Sequence, residues 1–270
     1  METKQRHYSA NKKSTTTVTT TTLFGRRNEF IALERAYRRV KEDCSFERIT
    51  VHGESGTGKT TLVMALQEIV LKDGGFFCSG KYYPDKEEPY SAILSAFSDL
   101  CDLVLQSHDF NDKRRAQIQN ELGDDGKLLF NTVTNISPFL NNTLADDEPE
   151  EKDNDITSSS SMTTTPTTTP TTTTTLVDCC SIENLIKACT TFLRAMCSTE
   201  YPVVLFIDDI QWMDKGSKCL LQAILQERQL SNFMLILAYR NDGDFFVEDL
   251  YSNSHTSITT SPKQQQQQEP

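Results

Sequence analysis

Residues Gly53-Glu54-Ser55-Gly56-Thr57-Gly58-Lys59-Thr60 satisfy the pattern G-x-x-x-x-G-K-[ST] at every fixed position. The chemistry requires those residue types at that spacing. Glycines let successive backbone N–H groups close around an anion, a lysine reaches the outer phosphates, and a hydroxyl after it suits a divalent cation. A helix that begins at the end of such a loop adds its own N-terminal dipole. The phosphate end of a nucleotide is therefore the leading ligand. Gly53, Glu54, Ser55, Gly56, Thr57, Gly58, Lys59, Thr60 and Thr61 are the candidate phosphate-binding residues, and Thr60 is also a candidate magnesium ligand.

The flanking residues agree with this reading. Arg48-Ile49-Thr50-Val51-His52 is rich in β-branched side chains and predicts a strand, while Leu62, Ala65, Leu66 and Ile69 recur with a helical period. Strand, glycine loop and helix is the order a phosphate loop needs. His52, alone at the end of a buried strand, is expected to pack or to hydrogen-bond its neighbours rather than to catalyse.

Several segments are too biased to build a core. Residues 1–22 end in a threonine tract, Asp146 to Thr175 is an acidic run followed by Ser/Thr/Pro repeats, and 249–270 is polar and ends near five glutamines. They predict disordered tails around a single α/β domain, residues 23–248, that tolerates an insert at 146–175 as a surface loop.

The net charge is −11, and no basic stripe offsets it, which argues against a general grip on nucleic acid. The eight cysteines form no C-x-x-C pair and no metal-like grouping with histidine. Cys189 and Cys219 fall in apolar helical patterns, where cysteine acts as a small hydrophobe, so a reducing compartment is expected. The polar N-terminus lacks an apolar signal core, and no stretch approaches a membrane span. An intracellular protein, cytoplasmic or nuclear, is the expectation.

Along the chain, Phe30, Leu33, Tyr37 and Val40 share one face of a helix that Asn28 is placed to cap. Phe76 to Lys81 predicts a second strand, and Pro89 opens a helix carrying Ile93, Phe97, Leu100 and Val104. Residues 113–145 are weakly helical, and Ile182, Leu185, Ile186, Cys189, Leu193 and Met196 mark a further amphipathic helix.

The second strong signal is Val203-Val204-Leu205-Phe206-Ile207-Asp208-Asp209, an apolar run ending in two carboxylates. Such a run suits a strand covered on both faces of a parallel sheet, whose carboxyl end is where ligands sit. Asp208 is thereby the second candidate magnesium ligand. Ser217 is placed to cap the helix that follows, and Phe233 to Tyr239 predicts a fourth strand that ends at Arg240, a candidate contact to the γ-phosphate.

Together these motifs resemble the AAA ATPase domain of the origin-recognition-like kind, found also in the nucleotide-driven STAND signalling ATPases. Leu23-Phe24-Gly25-Arg26 is similar to the family's opening motif near adenine, which implies adenine-side roles for Gly25 and Arg26. Gly80-Lys81 with Pro89-Tyr90-Ser91-Ala92-Ile93 resembles the second strand and following helix. Leu205 to Asp214 resembles the acidic strand, and Ala238-Tyr239-Arg240-Asn241 the sensor strand. The fold so implied is a P-loop NTPase three-layer α/β/α sandwich with a mainly parallel sheet.

The resemblance further implies ATP and Mg2+ as ligands, ATP and ADP exchange or hydrolysis as a switch, and protein partners or further C-terminal domains. In that scheme Asp209 orients or deprotonates water, although related enzymes commonly carry glutamate there. Trp212 is expected to be a packed anchor.

Past Asp242 no apolar run suggests the fifth strand that the family places beside the first, and no helical lid follows. The expectation is a truncated domain whose phosphate-loop strand lies at an exposed edge. Three other readings stand beside the ATPase: a nucleotide-binding interaction module without meaningful hydrolysis, a P-loop kinase for a small molecule, and a non-functional fragment.

Overall fold

The computed structural model describes residues 25–85, 88–107, 111–140, 179–240, 250 and 256–260. The N-terminal tail (1–22), Leu23 and Phe24 of the opening motif, the acidic and threonine-rich insert (146–175), Asn241 and the glutamine run lie outside the described residues.

Helix α1 (Arg27–Glu42) leads into β1 (Phe46–His52), followed by α2 (Lys59–Lys72), β2 (Phe76–Lys81), α3 (Ser91–Gln106) and α4 (Asp112–Leu122). After two short 3-10 turns come α5 (Cys179–Met196), β3 (Val203–Asp208), α6 (Lys215–Gln226), β4 (Phe233–Tyr239) and β5 (Thr256–Thr259). All pairings are parallel, in the order β2-β3-β4-β1-β5.

Side-chain alternation along the strands divides the core into two halves. Val204 and Phe206 of β3 and Met234, Ile236 and Ala238 of β4 join Leu33, Tyr37, Leu62 and Leu66 of α1 and α2 on one face. Val203, Leu205, Ile207, Phe233, Leu235 and Leu237 pack on the other face against Phe97, Phe192 and Leu221 of α3, α5 and α6. Helices cover both faces, so the central strands carry the near-continuous apolar runs expected of a three-layer α/β/α sandwich.

The fifth strand corrects the expectation of an exposed edge. Ile49 to His52 of β1 pair with Thr256 to Thr259, so β1 lies between β4 and β5. Residues 249–270 are therefore not a structureless tail throughout. Thr-Ser-Ile-Thr escapes a search for apolar runs because it offers a single apolar residue, Ile258, which packs into the core at 6% exposure. Backbone pairing along β1 adds to that hold.

Helix starts also differ from expectation. Arg26, not Asn28, is the N-cap of α1, and α3 begins two residues after Pro89, behind Tyr90 in a left-handed conformation. Asp214 caps α6, accepting the Ser217 N–H at 2.8 Å, while the Ser217 hydroxyl donates to the same carboxylate. Asp outranks a serine three residues on because its carboxylate reaches the orphan N–H groups from outside the helix. Cys219 is exposed rather than buried, whereas Cys189 is fully buried.

Candidate nucleotide site

The phosphate loop leaves β1 at His52 and enters α2 at Lys59, at the carboxyl end of the sheet. Gly56 and Gly58 take φ of 75° and 80°, the left-handed region that only glycine enters without steric cost. Gly53 is required for space: a Cβ there would stand 2.3 Å from the carbonyl oxygen and from Oγ1 of Thr260. Gly58 is the N-cap of α2 and offers no capping side chain. The first N–H groups of a helix lack intrahelical partners, so an anion is their natural complement here.

Lys59 is 7% exposed and its Nζ donates to the carbonyl oxygens of Gly53 and Glu54, both at 3.0 Å. The ammonium is thus held inside the curl of the loop. Glu54, Ser55 and Gly56 form its exposed tip, and Thr60 and Thr61 are exposed on the first turn of α2. The Thr60 hydroxyl donates to Asp208 Oδ2 at 2.8 Å, which joins α2 to the end of β3. Asp208 is 4% exposed, and its other oxygen accepts the Asp209 N–H at 3.0 Å.

Parallel register sets Lys81, the last residue of β2, opposite Asp208. Its Nζ lies 3.2 Å from Asp208 Oδ2 and 2.7 Å from Asp209 Oδ2. The second oxygen of Asp209 accepts from Gln211 Nε2 at 3.0 Å and from Arg240 Nε at 3.3 Å. Gln211 in turn accepts the Arg240 N–H at 3.3 Å, tying the acidic turn to the end of β4. Arg240 therefore points at Asp209.

Asp209 itself is left-handed, with φ 54° and ψ 44°, a conformation that aspartate tolerates better than most side chains. Burial pushes its carboxyl up. Hydrogen bonds from Lys81 and Gln211 and the charges of Lys81 and Arg240 outweigh that and hold it below the usual carboxylate range.

A cleft of about 480 Å3 opens beside Thr60 and Asp208, with Lys81, Tyr83 and Ser91 among its walls. The loop is also braced by Arg26, whose guanidinium donates to the Thr57 carbonyl. Gly25, beside it, is exposed with φ 74°. His52 stacks on Tyr239 at 5.4 Å between ring centroids and shares a 2.9 Å hydrogen bond with the Thr259 hydroxyl, the packed role expected of it. Trp212 departs from expectation. It is 45% exposed, because the 3-10 turn Ile210–Trp212 buries Ile210 instead.

The family model described as the AAA ATPase domain matches residues 22–237. The chain belongs to the AAA ATPase domain family. It is accordingly an ATP-binding P-loop domain, and its five-stranded parallel sheet is the fold that such a domain carries. Among curated proteins, none matches the chain. The matched span of the AAA ATPase domain takes in the phosphate loop, Lys81, Asp208, Asp209 and Gln211, and stops short of Arg240 and β5.

Lys81, Gln211 and Thr260 carry contacts in this AAA ATPase domain to which sequence reasoning assigned no role. For Lys81 a signal existed. If the second strand lies beside the acidic one in parallel, their carboxyl ends meet, and a lysine ending one strand faces the carboxylates ending the other. Among the described residues no helix is long and apolar enough to cross a membrane, and no cluster of three or more His, Cys, Asp or Glu side chains is placed to hold a metal by itself.

Proposed function

We propose that this AAA ATPase domain, of the origin-recognition-like STAND kind, binds ATP with Mg2+ and hydrolyses it to ADP and phosphate as an intracellular regulatory switch that acts on protein partners. The observation that carries the reading is the 2.8 Å hydrogen bond between Thr60 and Asp208. It joins the hydroxyl that follows the loop lysine to a buried carboxylate from a different strand, the donor set a hard divalent cation takes in phosphate sites. Thr60 and Asp208 would hold the magnesium ion, which supplies charge neutralisation at the outer phosphates.

The remaining work falls to the protein. Lys59 and the backbone from Gly53 to Thr61 hold the phosphates, and Gly25 and Arg26 belong to the adenine side. Asp209 orients the attacking water and accepts its proton. Arg240 senses the γ-phosphate from the end of β4. A switch is supported by the loop's mechanical ties, since Thr57 touches both Arg26, ahead of α1, and Thr260, after β5.

A second reading, a nucleotide-binding module with negligible hydrolysis, is favoured by one feature. Both oxygens of Asp209 are engaged by Lys81, Gln211 and Arg240, which leaves a weak base. Titration of the chain with ATP, with and without Mg2+, together with a phosphate-release assay separates the two. Mg-dependent binding with steady phosphate release is the expected result. Binding without release favours the module, and no binding at all overturns both.

A further inference from the structure

Lys81 occupies a position that the nucleotide reading leaves without a task. Its ammonium touches both carboxylates, 3.2 Å from Asp208 Oδ2 and 2.7 Å from Asp209 Oδ2. The first of these oxygens is the one that the Thr60 hydroxyl also meets, at 2.8 Å. Lys81 thus stands against the same oxygen that a magnesium ion between Thr60 and Asp208 would use.

Asp208 and Asp209 are balanced by Lys81 and Arg240. An ammonium and a divalent ion on a single oxygen of the buried Asp208 carboxylate repel, which favours the departure of Lys81 from Asp208 when such an ion arrives. It is free to do so: its side chain is 41% exposed and forms part of the wall of the cleft of about 480 Å3 beside Thr60. A terminal phosphate held by the phosphate loop would then offer Lys81 a new negative charge.

We infer that Lys81 is a γ-phosphate ligand that distinguishes ATP from ADP. The inference rests on the nucleotide reading above and adds to it a residue, a phosphate and a direction of selectivity. In this structure Lys81 neutralises the acidic pair. With Mg-ATP it turns from Asp208 to the γ-phosphate, an ammonium-to-phosphate contact of the charge-assisted kind. ADP offers no such group, so the contact is lost with the terminal phosphate.

The test is an affinity ratio measured by calorimetry on the full chain, with Mg-ADP and the Mg complex of the β,γ-imido analogue of ATP as the two probes. Lys81→Met is expected to weaken the ATP analogue by at least ~10-fold and to leave ADP within about threefold, the loss expected for one hydrogen bond to a charged group. Lys81→Arg, which keeps the charge, is expected to recover most of the selectivity. Should Lys81→Met fail to melt cooperatively, Lys81→Gln replaces it, since an amide still bonds to the acidic pair. Equal losses for both probes, or no loss for either, overturn the assignment of Lys81 while leaving the nucleotide site intact. Failure of the unmodified chain to bind either probe overturns the nucleotide reading itself.

Discussion

The hydroxyl oxygens of Thr57 and Thr260 lie 2.9 Å apart, joining the middle of the phosphate loop to the residue that follows the last strand. Thr260 is 1% exposed, and its N–H and hydroxyl both donate to the His52 carbonyl, at 2.7 and 3.0 Å. These contacts help to hold β5 in place, along with Ile258 in the core and the pairing to β1.

Thr260→Val removes the hydroxyl while keeping the shape, and it is expected to cost about 1 kcal/mol, the net value of a typical buried hydrogen bond. Urea unfolding measures the loss. Amide exchange at Ile258 should accelerate more than at Ile236 in the centre of the sheet. Uniform acceleration would mean that Thr260 is not a local fastener of β5.

Asp209→Asn is expected to keep nucleotide affinity and to lower single-turnover hydrolysis by at least ~100-fold, the lower range for a lost general base. The asparagine carbonyl still accepts from one side of this web, Gln211 and Arg240 or Lys81, and the site lies at the end of the sheet rather than in the apolar core, so the fold should survive. Turnover equal to that of the unmodified chain would remove Asp209 from the chemistry.

Asp214 provides a pH dependence away from the site. Burial pushes its carboxyl up, but the Ser217 hydroxyl and the N–H groups of Ser217 and Tyr90 outweigh this and hold it below the usual carboxylate range. A carboxyl depressed in the folded state stabilises above its unfolded pKa, about 3.9, and loses that contribution as pH falls through the folded value. The stability gap between the unmodified chain and Asp214→Asn should therefore be largest near neutral pH and narrow below about pH 4. A gap that stays constant down to acid would contradict the role of this cap.

The cysteines should divide by reactivity. Burial pushes the Cys101 and Cys189 thiols up to about 12, whereas Cys44 and Cys219 are exposed. Brief alkylation of the native chain followed by peptide mapping should label Cys44 and Cys219 and spare Cys78, Cys101 and Cys189, because the thiolate is the reactive form. Labelling of Cys189 at the rate of Cys44 would show that the α5 face of the core opens readily.

The phosphate loop and the core strands were legible in the sequence because each is decided locally. Glycine at positions 56 and 58 answers a backbone demand, and the runs at Val203 and Phe233 answer burial on both faces. β5 was not legible, since its place depends on an existing neighbour, β1, rather than on apolar content of its own. The same holds at the site. Asp208 could be assigned from the strand it ends, but the web of Lys81, Gln211 and Arg240 around Asp209 exists only after three separate segments have converged. Trp212 shows the opposite error, where a large aromatic in a family-like motif invited a buried role and the 3-10 turn sent it outward.

The most direct test of the account is thermal unfolding of the chain with and without Mg-ATP, beside Lys59→Ala. Ligand at 100 times its dissociation constant adds about 2.7 kcal/mol to the stability of a protein that binds it only when folded. Lys59→Ala should melt somewhat lower on its own, since Nζ ties the carbonyls of Gly53 and Glu54 together, and should gain nothing from nucleotide. A Lys59-dependent rise is the predicted result. A cooperative melt of the unmodified chain that Mg-ATP leaves unmoved would contradict the nucleotide site.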